Sequence, residues 1–196
     1  MILPIIAYGD PVLKKVAVNI DQEYPKLSEL ITNMFETMYN AYGVGLAAPQ
    51  IGQSIRLFIV DASPFAEDDD LDDEERKILE GFKKIFINPQ ILTEEGDEWA
   101  FNEGCLSIPD VREDVFRKPE LTIRYQDENF KTYTETYKGL IARVIQHEYD
   151  HIEGILFTDK LSPLKKRLIK NRLNNISMGK IKVDYRMKFP KEKKKR

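Results

Sequence analysis

The chain has 196 residues, of which 42% are hydrophobic and 32% are charged, so it can form an ordinary globular domain with a buried core. Its single cysteine excludes an intramolecular disulfide, and its apolar N-terminal run is too short for a signal peptide or a membrane helix. The net charge of −3 hides an uneven distribution, because residues 161–196 hold 14 Lys or Arg against two acids. A cytoplasmic protein is expected.

The first part of the chain predicts three strands and a helix. The N-terminal run MILPIIAYGDP predicts the first strand, and residues 25–42 place apolar side chains at three- and four-residue spacing, which predicts an amphipathic helix. Residues 55–61 and 84–92 predict strands. Between them lies an acidic segment, at about 62–82. We expect it to be a solvated surface loop, because it lacks the glycine and the spacing of a calcium site.

The second half of the chain predicts a hairpin and two helices. Residues 120–139 alternate around Asp-Glu-Asn, as in a β-hairpin, and residues 140–154 predict a helix that ends at Gly154. Ser162 and Pro163 favour the start of a C-terminal helix. Its predicted apolar side consists of Leu164, Leu168, Ile169, Leu173 and Ile176. This order of elements predicts an α+β fold with mainly antiparallel sheets.

The only two histidines of the chain, His147 and His151, lie four residues apart in the sequence QHEYDH. On a helix this spacing puts both imidazoles on one face, where they can bind one metal ion. The glutamate of such an H-E-x-x-H motif, here Glu148, addresses a water molecule at the metal. The flanking acids Asp150 and Glu153 are each expected to be solvated, with a hydrogen bond to an imidazole N–H as the alternative. The motif therefore predicts a central metal-binding helix.

Two histidines leave the metal site incomplete, because hydrolytic sites usually take three protein ligands and keep one position open. A third histidine at the metzincin position is excluded, since Phe157 stands there. The third ligand must therefore be a carboxylate or Cys105. A carboxylate would make the chain an ordinary zinc peptidase. Cys105, in the sequence NEGCLS, stands where a backbone turn can present a thiolate.

The sequence GVGLAAPQIG at residues 43–52 predicts a loop whose backbone comes close to a ligand. Its Gly-x-Gly-x-x-Ala pattern also occurs in dinucleotide-binding folds. In those folds a strand precedes the pattern and a helix follows it, whereas here a predicted helix precedes it and Pro49 follows. We therefore reject a dinucleotide site, and Gln50 becomes a candidate uncharged donor to the ligand.

Three stretches together resemble the three signature motifs of the peptide deformylases: GVGLAAPQ at 43–50, EGCLS at 103–107 and QHEYDH at 146–151. Their order and separation match as well, and the resemblance covers roughly residues 1–160 as a catalytic core. Residues 161–196 form a C-terminal amphipathic helix and a basic tail in this interpretation. The resemblance implies a hydrolase that removes the N-formyl group from the initiator methionine of newly made bacterial-type polypeptides and releases formate.

The resemblance also implies the ligand set and the catalytic residues. One divalent metal ion, typically iron(II) with zinc, nickel or cobalt able to substitute, would be held by three ligands: Cys105, His147 and His151. Glu148 would take a proton from the attacking water and pass it to the leaving amine. The side-chain amide of Gln50 and the backbone N–H of Leu106 would donate to the oxyanion of the tetrahedral intermediate.

Substrate binding follows from the same resemblance. Gly45 would hydrogen-bond the formyl-methionine backbone, and the peptide would lie as an added strand against a sheet edge. The residues expected to border the methionine pocket are Val44, Glu103, Leu140 and Val144. For the three apolar ones, plain core packing is the alternative. Arg112 pairs with Glu103, meets the peptide or forms a surface salt bridge, and the sequence favours none of these.

The partners that follow are formylmethionyl nascent peptides and, through the basic segment, the ribosome, since a segment of charge +12 is attracted to RNA phosphates. A tail that only improves solubility is the alternative. A monomer without membrane contact is expected. Because no motif lies there, deletion of residues 180–196 is expected to leave hydrolysis of short formyl peptides unchanged. A zinc peptidase and a non-catalytic binder with a structural metal are the rival functions.

Overall fold

The structure of the chain is a computed structural model that describes residues 1–68 and 71–190. Within these residues the helices are α1 (Leu27–Asn40), α2 (Asp73–Glu80), α3 (Gly139–Ile152) and α4 (Pro163–Ser177). The strands are β1 (Ile5–Ile6), β2 (Gly45–Ala47), β3 (Leu57–Asp61), β4 (Lys83–Glu95), β5 (Trp99–Cys105), β6 (Ile108–Arg117), β7 (Glu120–Gln126), β8 (Thr132–Lys138) and β9 (Met187–Lys188). The predicted α+β class is confirmed. None of the described helices is long and apolar enough to cross a membrane.

An antiparallel five-stranded sheet in the order β2-β3-β4-β7-β8 forms the main layer, and it contains the strands predicted between residues 55 and 139. β3 is buried along its whole length, which suits its continuous apolar run LFIV. The predicted hairpin is β7 and β8, which pair from Glu120 opposite Lys138 to Gln126 opposite Thr132. β2 lies at one edge of the sheet, so the described sheet leaves one side of its backbone unpaired.

The glycine-rich stretch that was expected to be a loop is partly a strand. Residues Gly45–Ala47 form β2 because each of them finds a partner along β3, with Leu46 opposite Ile59. A 3₁₀ turn, Ala48–Ile51, follows at once and buries Gln50. The expectation of a loop was therefore wrong for the middle of this stretch.

The β5–β6 hairpin was not among the predicted elements. Its tip is the two-residue turn at 106–107, which follows directly after Cys105. Near the tip the register shifts, since Gly104 lies opposite Arg112 whereas Cys105 lies opposite Ile108. The three residues 109–111 therefore bulge out of the hairpin beside the thiol.

α3 is buried over most of its surface. It packs against β2 and β3, and its Arg143 side chain reaches the carbonyls of Trp99 in β5 and Val115 in β6. The helix thus lies between the sheet and the hairpin. Gly154 has a φ of 71°, and a Cβ there would lie 2.7 Å from the carbonyl oxygen of Lys14. The predicted stop at Gly154 is therefore confirmed, with a steric reason that the sequence did not reveal.

The acidic segment, expected to be a loop, contains a 3₁₀ turn (Ser63–Glu67) and the helix α2. Asp72 caps α2, since its carboxylate accepts from the backbone N–H groups of Glu74 and Glu75 at 2.9 and 2.8 Å. Acids in a first helical turn are stabilised by the positive end of the helix dipole, which explains why a run of carboxylates folds as a helix here. Residues 69–70 of this segment lie outside the described residues.

α4 begins where it was predicted, because Ser162 Oγ accepts from the backbone N–H of Lys165. Its buried face is Ile169, Leu173 and Ile176. Leu164 and Leu168 were predicted on this face, but they are 67% and 71% exposed. The i−4 neighbour of Ile169 is Lys165, not a leucine, and its ammonium extends to Glu113 at 3.0 Å. The apolar stripe of α4 is therefore shorter than predicted.

After α4 the chain folds back onto its own beginning. β9 pairs in parallel with β1, the predicted first strand, with Ile5 opposite Met187. The backbone N–H of Ile5 donates to the carbonyl of Arg186, and that of Ala7 donates to the carbonyl of Lys188, both at 2.9 Å. The last six residues of the basic tail, 191–196, lie outside the described residues.

Candidate metal centre and catalytic site

The fold brings the two histidines of α3 and the thiol at the end of β5 together. The candidate ligand atoms of Cys105, His147 and His151 all lie within 4.8 Å of one another. Cys105 Sγ lies 3.3 Å from His151 Nε2. Of the two alternatives for a third donor, Cys105 is therefore the one that forms a compact group with both imidazoles in the described part of the chain.

The properties of these three side chains fit a divalent transition metal. Burial and the charges of His147 and Arg117 hold the pKa of His151 well below its usual range, so this imidazole is neutral, as a ligand must be. Burial alone would lower the pKa of His147, but hydrogen bonding to Cys105 and Glu103 raises it to about 10. The space beside His147 and Cys105 thus favours a positive charge. One thiolate with two imidazoles is a donor set typical of zinc and iron.

Glu103 fixes the orientation of His147. Its carboxylate lies 2.9 Å from His147 Nδ1, which leaves Nε2 of that ring free to face Cys105 and His151. Arg117 binds the same carboxylate with both Nε and NH2, at 2.7 and 2.9 Å, and Arg143 adds a contact at 3.1 Å. Burial alone would raise the pKa of Glu103, but the hydrogen bonds from Arg117 and His147 hold it well below its usual range.

The two acids that flank the histidine pair are held elsewhere. Asp150 is buried and binds Arg117 at 2.6 Å and Lys160 at 3.3 Å, so the expectation of a solvated Asp150 was wrong. Glu153 is partly exposed and pairs with Arg56 at 2.6 Å. The carboxylate that meets an imidazole is Glu103, which lies 44 positions before His147 in the sequence.

Glu148 is buried directly behind β2. A Cβ on Gly45 would lie 2.5 Å from Glu148 Oε1, so only glycine leaves room for this carboxylate. Glu148 Oε2 is buried and has no hydrogen-bond partner among the described residues. Burial raises the pKa of Glu148 to about 7, which suits a group that exchanges a proton near neutral pH.

Gln50 and Leu106 both lie next to Cys105, Gln50 in space and Leu106 along the chain. Gln50 Oε1 accepts from the backbone N–H of Ala47 at 2.8 Å, and this bond fixes which end of the amide faces the site. Its Nε2 therefore points at Cys105 Sγ, 3.5 Å away, and at Ser107 Oγ, 3.3 Å away. Leu106 is the first residue of the hairpin turn that follows Cys105.

These groups line a cavity of about 500 Å³. Of the residues expected to border the methionine pocket, Val44, Glu103 and Val144 lie in its wall. Gly45, expected to bond the substrate backbone, and Arg112 lie there as well. Leu140 packs against the core and is not part of that wall. Arg112 donates hydrogen bonds to the side chain and the carbonyl of Asn102. Glu103 pairs instead with Arg117, Arg143 and His147.

Sequence reasoning missed several residues of the cavity wall, among them Phe65, Phe101, Arg143 and Tyr185. A signal existed for two of them. Arg143 lies four residues before His147 and so shares its helix face, and Phe101 lies two residues before Glu103 on the same face of β5. Phe65 comes from the acidic segment, where it meets Phe101 edge-on with ring centroids 6.4 Å apart. Nothing in the sequence near it indicated this contact.

Comparison with known proteins gives one consistent result. A family profile described as Polypeptide deformylase matches residues 2–167. A peptide deformylase from Christiangramia forsetii is 70% identical over 196 residues, with both chains covered completely, and one from Flavobacterium johnsoniae is 65% identical over 99% of each chain. A crystal structure of a peptide deformylase from Legionella pneumophila superimposes with a TM-score of 0.76 at 37% identity, covering 92% of this chain and 98% of that one.

Replacing Glu103 by glutamine tests whether its buried charge holds the site together. We expect Glu103→Gln to lower the free energy of unfolding by about 3 kcal/mol, because two buried guanidinium groups lose a carboxylate. Affinity for zinc should fall by roughly 10- to 100-fold, because His147 loses the acceptor that orients it. Urea unfolding and competition with a chromophoric chelator measure the two effects.

The matched control is Glu113→Gln. Glu113 lies directly opposite Glu103 on β6 but is partly exposed, and among the described residues its ion pair is with Lys165. Loss of such a surface pair costs about 1 kcal/mol or less. Equal effects of the two substitutions on stability and on zinc affinity would contradict the role given to Glu103.

Proposed function

We propose a role for each group of this site, starting from the fact that the chain belongs to the polypeptide deformylase family. It is an enzyme that removes the N-formyl group from newly made polypeptides, as this family does. The observation that carries our assignment of roles is the position of Glu148. Its carboxylate lies on the same helix as His147 and His151, beside β2, and one of its oxygens has no partner among the described residues.

Three residues would hold the metal ion on which this family depends: Cys105, His147 and His151. We infer iron(II) as the resident ion, because it is the ion typical of this family. Zinc, nickel or cobalt would be able to take its place, because a thiolate with two imidazoles accepts all of these ions. When bound, the ion supplies Lewis acidity and lowers the pKa of water at the site to about 7. Elemental analysis of protein purified without oxygen tests the choice. Zinc without iron in that preparation would contradict it.

Glu148 would act as the proton carrier of the reaction. With a pKa of about 7, its carboxylate can take a proton from the attacking water and later give it to the leaving amine. It lies against Gly45 of β2, which has no side chain, so Glu148 would be next to a peptide that follows this strand.

Gln50 and Leu106 would stabilise the negative charge that develops on the formyl oxygen. The Nε2 group of Gln50 faces the thiol because its Oε1 is held by Ala47. The backbone N–H of Leu106 directly follows Cys105 and would supply the second donor. Donors that are already in place when the charge forms typically contribute about 3 kcal/mol each to lowering the barrier.

The substrate would bind along the open edge of β2. A peptide added there would pair its backbone with Gly45, and its first side chain would enter the cavity. Val44 and Val144 would contact the methionine side chain, together with Phe65 and Phe101, which line the same cavity. Leu140 would support this pocket from the core, and Arg112, held by Asn102, would meet the peptide beyond the methionine.

The exposed side of α4 would serve the encounter with the ribosome in the cytoplasm. It carries Arg167, Lys170 and Arg172, all exposed, and none of the described contacts pairs them with an acid. Cations arranged in this way attract RNA phosphates. The enzyme would act there as a monomer on formylmethionyl nascent peptides.

Glu148→Gln tests the proton carrier. We expect this variant to bind one metal ion per chain but to lose at least about 100-fold in kcat for formate release from a formyl-methionyl peptide, because an amide cannot carry the proton. The control is Glu153→Gln, on the same helix, whose carboxylate pairs with Arg56 away from the cavity. A Glu148→Gln enzyme that retains most of its turnover would contradict the assignment.

Charge reversal on α4 tests the ribosome contact. We expect Arg167→Glu with Lys170→Glu and Arg172→Glu to weaken co-sedimentation with ribosomes, most clearly at low salt, where phosphate attraction is strongest. Hydrolysis of short formyl peptides should not change. The control reverses three exposed lysines elsewhere: Lys26, Lys77 and Lys131. If both sets of substitutions weaken co-sedimentation equally, the effect comes from the overall charge of the protein and not from a contact through α4.

A further inference from the structure

The segment that follows α4 returns to the catalytic cavity. From Ile181 to Phe189 partly buried and exposed residues alternate strictly, as in an extended strand with one packed face. Met187 and Phe189 use that face to pack against a buried apolar cluster. Tyr185 lies on the same side of the segment and lines the cavity. A residue 80 positions after Cys105 thus borders the same space as the thiol.

The hydroxyl of Tyr185 binds the turn at the tip of the β5–β6 hairpin. It donates to the carbonyl oxygen of Leu106 at 2.7 Å. The other residue of the turn, Ser107, accepts from the backbone N–H of Tyr8 at 2.9 Å. Because Tyr8 follows β1 and Tyr185 precedes β9, and these two strands pair with each other, both carbonyls of the turn are held by one unit made of the two ends of the described chain.

The position of this turn matters for the reaction. The carbonyl of Leu106 and its N–H lie on the two sides of one Cα atom, so a bond to the carbonyl restrains the direction of the N–H. An oxyanion donor must already point at the developing charge, within about 0.2 Å of its best distance, to be effective. The Leu106 side chain packs closely against Gly43. A Cβ added at Gly43 would lie only 2.8 Å from Leu106 Cδ1.

We propose that Tyr185 is a positioning residue of the active site, which holds the Leu106–Ser107 turn so that the N–H of Leu106 faces the formyl oxygen. The inference rests on the proposed role of Leu106 as an oxyanion donor. It makes the C-terminal segment part of the catalytic site, although this segment contains none of the three signature motifs. The structure thereby removes the reason for expecting that deletion of residues 180–196 leaves hydrolysis unchanged. We now expect that deletion to impair it.

The substitution Tyr185→Phe tests the proposal, because it removes the hydroxyl and keeps the ring in the cavity wall. In the metal-loaded enzyme we expect kcat for a short formyl-methionyl peptide to fall about tenfold with KM changed less than twofold. This loss is smaller than the 100-fold or more expected when an oxyanion donor is removed outright. Amide hydrogen exchange of the peptide that spans residues 104–108 should become faster, which reports on the turn independently of activity.

The matched control is Tyr133→Phe, since the hydroxyl of Tyr133 donates to Asp127 in the β7–β8 hairpin, away from the cavity. Metal content and the melting temperature of both variants are measured alongside. Unchanged kcat and unchanged exchange in Tyr185→Phe would overturn the proposal. So would a loss of kcat that only follows a loss of metal or of stability. A wild-type enzyme that releases no formate would instead contradict the proposed function itself.

Discussion

The carboxylate of Glu103, only 4% exposed, accepts hydrogen bonds from Arg117 on β6 and from Arg143 on α3, and meets the ring of His147. These contacts join the hairpin to the helix at the point where the three candidate metal ligands meet. Asp150 pairs with the same Arg117, so two carboxylates face two guanidinium groups in the interior. Buried charges are tolerated only when they are paired and hydrogen-bonded, which makes the hairpin and α3 depend on each other.

This dependence explains why the site can be assembled from elements that are distant in the sequence. α3 supplies two imidazoles and Glu148, the end of β5 supplies the thiol, and the turn after β2 supplies Gln50. Each element is fixed by a hydrogen bond from a neighbouring part of the fold: Glu103 holds His147, Ala47 holds the amide of Gln50, and Tyr185 holds the hairpin turn. Preorganisation of this kind would let the proposed oxyanion donors act without rearrangement when charge develops.

Elements with a clear hydrophobic periodicity or a clear helix-capping residue could be predicted from the sequence. Elements that form only through contacts with distant segments could not. The helix with His147 and His151 was evident from its spacing and from Gly154. β2 was missed because three residues become a strand only when β3 lies beside them. Leu168 was placed on the wrong face, because the buried stripe of α4 begins only at Ile169 and the residue one turn before it, Lys165, is partly exposed and pairs with Glu113. Tyr185 lies in an alternating segment, IKVDYRMKF, which indicates a strand but does not show that it returns to the site.

The claim on which the remaining roles depend is that Cys105 completes the metal site, and the absorption spectrum of the cobalt-loaded protein tests it most directly. A thiolate ligand gives a charge-transfer band that carboxylate and imidazole ligands do not give. We expect this band in the wild-type chain and in Glu148→Gln, and we expect it to be lost in Cys105→Ser even where cobalt remains bound. An unchanged cobalt spectrum in Cys105→Ser would show that the thiol is not a ligand, and a carboxylate would then have to complete the site.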